Sequence, residues 1–125
     1  MTRIFFLARI RQLIQDVYVT VKEAQRKAIE SIKPGVPVSQ VDRIARNHLA
    51  QNDLAQYFSH SLGHGVGLDI HESPRLSQKS SAILKEGMVI TVEPAVYLPN
   101  QFGIRIEDMV LVTKKGNEVL SGHIH

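Results

Sequence analysis

A segment rich in histidine and glycine is the part of this sequence best suited to chemistry. Three of the six histidines, His60, His64 and His71, lie within twelve positions, with glycines between them. Glycine lets a backbone approach an ion or a ligand closely. The four-residue spacing of His60 and His64 resembles a helical zincin motif, but Ser61 stands where that motif has its glutamate. Because the glycines also oppose a helix, the zincin interpretation is excluded.

Two glutamates are the candidate carboxylates. Glu93 follows an apolar run typical of a strand and precedes Pro94, and Glu107 is followed by a second such run. In a strand, Glu107 would share a face with Arg105 and Met109. Spacing alone leaves open whether both glutamates face solvent or point inward, where a carboxylate needs a cation or several hydrogen bonds. One histidine with two carboxylates suits Mn²⁺, Zn²⁺ or Co²⁺. With further histidines to move protons, the sequence suggests a metallohydrolase site.

Two helices and a set of short strands must position these groups. Apolar residues recur every three or four positions from Ile10 to Ile32, and a second stripe predicts a helix over about residues 39–52 with Ser39 as its N-cap. Pro34-Gly35 separates the two helices. The later part of the chain predicts short strands between turn signals. These strands are Met88–Val92, Ala95–Leu98, Ile104–Ile106, Met109–Thr113 and Glu118–Leu120, with Ile4–Leu7 as a further candidate. Helices followed by antiparallel strands predict an α+β fold.

Composition narrows the class of protein. The 125 residues, 43% apolar and 22% charged, are typical of one globular domain. The absence of cysteine excludes disulfides, thiolate metal sites and cysteine nucleophiles. No apolar run reaches the ~20 residues that span a bilayer, and no secretory signal is present, so we expect a soluble, cytoplasmic protein without a membrane partner. The basic residues lie at helical spacing without interleaved aromatic residues, so no nucleic-acid partner is expected.

Three segments together resemble the C-terminal half of the pita-bread metallopeptidases. They are His64–Glu72, Gly87–Pro94 and Gly103–Asp108. The last segment is most similar to the Xaa-Pro aminopeptidase and prolidase (Xaa-Pro dipeptidase) branch. This resemblance implies the C-terminal half of a creatinase/aminopeptidase-like fold, with two helices packed on a curved, mainly antiparallel sheet. It also implies that a metal-activated water hydrolyses the bond before proline in a peptide substrate.

The resemblance implies a dinuclear metal site. By analogy, His64 and Glu93 would coordinate one metal ion, and Glu107 would bridge both ions. Mn²⁺ is the expected metal, with Zn²⁺ and Co²⁺ as alternatives. Arg105 would pair with a ligand carboxylate and fix its orientation.

The remaining candidates would act on the substrate. By the same resemblance, His71 would contact the substrate and stabilise the tetrahedral intermediate, and His60 would shuttle protons. Glu72 and Asp69 flank the turn that carries His71, and Glu72 is the better candidate for orienting it.

The sequence departs from the family pattern in its aspartates. Both family Asp ligands are absent, and Asp16, Asp42 and Asp53 lie in helical or helix-end contexts. We therefore expect residues 1–125 to form a single truncated catalytic domain, weakly active or inactive alone. Such a domain would form a homo-oligomer or pair with a missing N-terminal half. The alternative is a non-catalytic pita-bread module that binds a peptide or protein partner, although the retained histidines and glutamates favour the peptidase.

Overall fold

Two helices pack on two antiparallel sheets in the computed structural model, which describes residues 1–4, 11–67 and 72–121. The helices are Gln12–Glu30 (α1) and Val38–Gln51 (α2), and a 3-10 turn follows at Ala55–Tyr57. The strands are Gly63–Gly65 (β1), Glu72–Leu76 (β2), Val89–Val92 (β3), Ala95–Leu98 (β4), Phe102–Arg105 (β5), Asp108–Val112 (β6) and Asn117–Val119 (β7). One sheet has the order β2-β1-β3-β6-β7, and β4 pairs with β5 in the other. The predicted α+β fold is confirmed.

The helices bury the apolar stripes that the sequence predicts. In α1 the buried apolar positions are Val17, Val21, Ala24 and Ala28. The start of α2 differs from the prediction, because Pro37 rather than Ser39 is the cap residue and no side chain caps the helix. Proline fixes φ at a value compatible with a helix start, so the helix begins at Val38. Ile10, where the first predicted helix begins, lies outside the described residues.

The predicted strands between residues 88 and 120 are present, with ends shifted by at most two residues. Strands β1 and β2 were not predicted, because their glycine- and proline-containing sequences have low β propensity. Packing requires glycine at position 63, because a Cβ there would lie 1.8 Å from the carbonyl oxygen of Thr91. At this glycine, the close neighbour is a strand and not an ion. Of the candidate strand Ile4–Leu7, Ile4 is not in a strand and the other residues are outside the described part.

A long, interrupted hairpin connects the two sheets. Strand β3 pairs with β6, and β4 with β5, in one common register in which Val92 lies opposite Asp108. The ladder breaks directly after this pair, where Pro94 has no N–H to donate. Since the register is the same on both sides of the break, Glu93 and Glu107 lie opposite each other.

At the break, the backbones of both glutamates turn to other partners. The N–H of Glu93 donates to the carbonyl of Leu62 (2.7 Å), while Glu107 exchanges backbone hydrogen bonds with Thr2 (2.9 and 3.1 Å). Glu107 lies between β5 and β6 and not within one strand, but burial alternates from Ile104 to Val110, so Arg105 and Glu107 both lie on the less buried side, as the prediction of a shared face requires.

The hydrophobic core lies between the helices and the main sheet. Its largest fully buried side chains include Ile32, Leu49, Leu62, Leu76, Leu84 and Ile90. Among the described residues, neither helix has the length and apolar character needed to cross a membrane.

Candidate metal centre

Three predicted ligands come together where β1, β3 and β6 meet. His64 lies in β1, Glu93 directly follows β3 and Glu107 directly precedes β6. Each side chain offers one ligand atom, and these atoms all lie within 4.8 Å of one another. The Nε2 atom of His64 is 3.6 Å from Oε2 of Glu93. Within the ranges that the structure describes, this is the group of metal-ligating side chains that forms.

The imidazole of His64 is oriented by its own strand. Its Nδ1 lies 2.8 Å from the carbonyl oxygen of Gly65, and its backbone N–H donates to Oγ1 of Thr91 (3.1 Å). A carbonyl only accepts, so Nδ1 carries the proton and the Nε2 lone pair is directed toward Glu93. Metal-ligating histidines commonly use this arrangement, in which the second ring nitrogen donates to an oxygen.

Glu93 is the ligand with the strongest need for a cation. Its Oε2 atom is buried and has no hydrogen-bond partner among the described groups. Burial, and then the neighbouring Glu107, raise the pKa of Glu93 to about 7. A buried carboxylate oxygen without a partner is costly unless a positive charge lies beside it. The residues present therefore fit a divalent cation coordinated by His64, Glu93 and Glu107.

Glu107 is surrounded by donors. The Oγ1 hydroxyl of Thr2 donates to Oε1 of Glu107 (3.2 Å). The hydrogen bond with Glu93 is the main cause that holds the pKa of Glu107 well below its usual range, and the hydroxyl of Thr2 contributes less. The two carboxyl groups therefore differ in proton affinity although they lie opposite each other.

The buried side chain of Asp108 holds the first described residues of the chain beside Glu107. The guanidinium of Arg3 pairs with Asp108, which also accepts from the hydroxyl of Ser121. Arg3 also donates to the carbonyl of Glu107 (3.1 Å). These contacts keep the segment that carries Thr2 against the start of β6.

A cleft of about 180 Å³ opens next to the ligand group. Its lining includes His60, His64, Arg75, Glu93, Tyr97 and Arg105. The Nδ1 of His60 lies 2.7 Å from the carbonyl oxygen of Ser61, and its Nε2 lies 3.4 Å from the hydroxyl of Tyr97. His60 therefore stands at the cleft without being one of the three grouped ligands.

Arg75 is a cleft residue that the sequence analysis missed. It lies opposite His64 in the β1–β2 pairing, is exposed, and has no acidic partner within the described ranges. Its position depends on β2, a strand that local propensity does not predict. The available signal was the presence of a lone basic residue shortly after the histidine segment.

The other predicted site residues remain predictions. Arg105 is exposed and lines the cleft, but in the described part of the chain it makes no ion pair with Glu93 or Glu107. His71 lies outside the described residues, and Glu72 begins β2 but its side chain is not described.

This arrangement defines a class: an α+β domain in which two glutamates at the break of an antiparallel hairpin meet a histidine of a neighbouring strand, a group that could hold a metal ion. The chain belongs to metallopeptidase family M24, whose family model matches residues 1–114. The expected membership of this family of pita-bread metallopeptidases is thereby confirmed.

Similar proteins identify the branch of the family. The chain is 48% identical to an Xaa-Pro dipeptidase of Pyrococcus horikoshii over 120 residues, which are 96% of this chain and 34% of that protein. It matches the solved prolidase of Pyrococcus horikoshii OT3 with a TM-score of 0.87 and 50% identity, covering 89% of this chain and 32% of the prolidase. The match to the prolidase of Pyrococcus furiosus has a TM-score of 0.91 and 46% identity. It covers 94% of this chain and 35% of that prolidase. The chain thus resembles the prolidase branch and spans about a third of the length of these relatives.

Proposed function

We propose that this chain provides the His–Glu–Glu part of the metal centre of an Xaa-Pro peptidase. The observation that carries the proposal is the convergence of His64, Glu93 and Glu107, with ligand atoms within 4.8 Å of one another. The names of the similar proteins, Xaa-Pro dipeptidase and prolidase, support a proline-containing peptide as the substrate. The mixed nitrogen and oxygen ligand set suits Mn²⁺ first, with Zn²⁺ or Co²⁺ as alternatives.

Each site residue has a distinct role in this proposal. His64 and Glu93 would hold one ion, and Glu107 would be a ligand shared with a second. When bound, the metal supplies Lewis-acid activation of the water that attacks the peptide bond. His60 exchanges a proton at Nε2, the ring nitrogen that faces the cleft and the hydroxyl of Tyr97.

Two roles, those of His71 and Arg105, follow from the family resemblance, and that of Glu72 follows from its position next to His71 in the sequence. His71 stabilises the oxyanion that develops at the scissile carbonyl, and Glu72 orients His71. Arg105 holds a ligand carboxylate in place once the metal is bound.

Arg75 favours a dipeptide over a longer substrate. An Xaa-Pro dipeptide carries its terminal carboxylate one residue beyond the scissile bond, so this charge must lie close to the metal centre. The guanidinium of Arg75, opposite His64 and at the rim of the cleft, is a cation of suitable geometry for a carboxylate. A longer peptide would place an uncharged amide at the same point.

The complete dinuclear site needs carboxylates from outside the described residues. The resemblance implies two aspartate ligands, yet Asp42 is buried against Arg46 and Asp16 is exposed on α1. In this proposal residues 1–125 form one catalytic unit that binds a single ion weakly. The other carboxylates come from outside these 125 residues.

Calorimetric titration with Mn²⁺ tests the proposal. The unmodified chain should bind one ion, and Glu93→Gln should weaken binding at least about tenfold, because it removes a ligand charge. Glu118→Gln is the matched control, since Glu118 is exposed on β7. Equal binding by Glu93→Gln would contradict the proposal. Metal binding without turnover of an Xaa-Pro dipeptide would favour a non-catalytic module, if turnover stays absent when a polypeptide that supplies the other carboxylates is added.

A further inference from the structure

An ion pair on α2 contacts the segment that carries His60. Asp42 is fully buried, and Arg46, one turn later, is partly exposed. The Nε and Nη2 atoms of Arg46 donate to both carboxylate oxygens of Asp42, each at 3.0 Å. This bidentate geometry is the strongest arrangement that a guanidinium and a carboxylate adopt, and it fixes the plane of the guanidinium.

The same pair binds three backbone groups of the segment that leads into β1. Arg46 donates from Nη1 to the carbonyl of Phe58 and from Nη2 to the carbonyl of His60, both at 2.9 Å. Oδ1 of Asp42 accepts from the N–H of Leu62 at 3.1 Å. These are alternate residues along one backbone edge, so Arg46 takes the place of a neighbouring strand at Phe58 and His60, while the N–H of Leu62 is shared between Asp42 and the carbonyl of Leu76 in β2.

Ring contacts extend this arrangement to the imidazole of His60. The guanidinium carbon of Arg46 lies 4.2 Å from the centre of the Phe58 ring. The rings of Phe58 and His60 meet edge to face, with centres 5.0 Å apart. On its other side, His60 contacts the carbonyl of Ser61 and the hydroxyl of Tyr97. Backbone and ring of His60 are therefore constrained together.

We propose that the Asp42–Arg46 pair is a positioning device that holds the imidazole of His60 at the cleft, with its proton on Nδ1. A pair that only stabilised the helix would be satisfied by its own two hydrogen bonds. This pair also forms hydrogen bonds with the backbone of Phe58, His60 and Leu62. The inference rests on the proposed function only for the proton-transfer role of His60; the positioning of the ring does not depend on it.

Nitrogen-15 spectra of the histidine rings in the 125-residue chain test this inference. They report which ring nitrogen carries the proton, and His60→Gln assigns the signal. In the unmodified chain His60 should be mainly the Nδ1–H tautomer, because Nδ1 faces a carbonyl. Arg46→Lys keeps the charge beside Asp42 but loses the planar fork, so His60 should move toward the Nε2–H form that a free imidazole prefers. Arg43→Lys, on an exposed residue of the same helix, should change nothing.

Two results would overturn the inference. One is a folded Arg46→Lys chain in which the tautomer and ring signals of His60 are unchanged. The other needs no variant: in the unmodified chain, the Nη hydrogens of Arg46 should give separate signals with contacts to the Phe58 and His60 backbone. Averaged signals from a freely rotating guanidinium would contradict the positioning role even if Arg46→Lys fails to fold.

Zn²⁺ titration of the same samples separates this inference from the proposed function. Arg46 does not touch His64, Glu93 or Glu107 within the described ranges, so Arg46→Lys should leave Zn²⁺ affinity within about twofold of the unmodified chain. A chain that binds no metal but shows the expected His60 tautomer would refute the proposed function and leave the positioning role intact. Metal binding by a chain whose His60 tautomer does not change in Arg46→Lys would refute the positioning role and leave the proposed function intact.

Discussion

Two regions that border the cleft, a carboxylate end with Glu93 and Glu107 and a histidine end with His60, are held by different kinds of contact. At the carboxylate end, Glu93 and Glu107 lie opposite each other because one hairpin register runs through both sheets. At the histidine end, the segment around His60 is held by the side chains of Asp42 and Arg46. Backbone pairing tolerates many side-chain changes, whereas a single ion pair does not. The carboxylate geometry should therefore be robust, and the His60 geometry should depend on two residues.

The largest effect is expected from Asp42→Ala at the histidine end. The change leaves the guanidinium of Arg46 without its carboxylate, and it removes one of the two acceptors of the Leu62 N–H, which still donates to the carbonyl of Leu76. Removing one partner of a buried ion pair costs about 3–5 kcal/mol of unfolding free energy, measurable by urea denaturation. Asp16→Ala, on an exposed residue of α1, should cost less than about 0.5 kcal/mol. A loss below about 1 kcal/mol for Asp42→Ala would show that side-chain contacts do not dominate this end.

Metal binding should stabilise the chain independently of the histidine end around His60. At Mn²⁺ concentrations about 100 times the Kd, the unfolding free energy should rise by about 2.7 kcal/mol. Glu107→Gln should abolish this increase, while Arg46→Lys should retain it, because Arg46 acts on His60 and not on the ligands. Thermal denaturation with and without Mn²⁺ measures the difference. If both variants lost the Mn²⁺-dependent rise in unfolding free energy, the two ends would be structurally coupled and not independent.

A smaller loss of stability is expected from Asp108→Ala, the buried acid of the carboxylate end. Asp108 pairs with Arg3 and accepts from Ser121, so its removal should cost about 2 kcal/mol in urea denaturation. The cost should be below that of Asp42→Ala, because Asp42 is fully buried and binds Arg46 through both carboxylate oxygens, whereas the side chain of Asp108 is 8% exposed. Glu86→Ala, at an exposed position, is the control. An Asp108 effect equal to or larger than the Asp42 effect would reverse the comparison.

Much of the carboxylate end could be predicted from the sequence. Glu93 and Glu107 each lie seven residues from Asn100, which adopts a left-handed conformation (φ 59°) in the turn between β4 and β5. Counting outward from a hairpin centred on Asn100 is enough to place the two glutamates opposite each other. The break at Pro94 was also visible, since a proline interrupts a ladder.

The histidine end could be predicted only in part. The four-residue spacing of Asp42 and Arg46 predicts an ion pair on a helix, but nothing local indicates that the pair also binds the His60 segment. Strand β1 was missed for a related reason. Gly63 is required by the approach of β3, a neighbour that follows it by more than twenty residues. Contacts of this kind arise from packing between distant segments, which local periodicity does not contain.

The smallest effect is expected at Thr2, whose hydroxyl donates to Oε1 of Glu107. Thr2→Val keeps the size and the backbone pairing with Glu107 but removes this donor, so Glu107 should remain in place with a less fixed carboxylate. Loss of a hydrogen-bond partner behind a metal ligand lowers metal affinity by about tenfold, and calorimetric titration with Mn²⁺ can resolve this. Thr2→Ser should restore the affinity, because it returns the hydroxyl without the methyl group. If Thr2→Val abolished binding outright, side chains rather than strand register would fix the carboxylate end, and the two ends would be held in the same way.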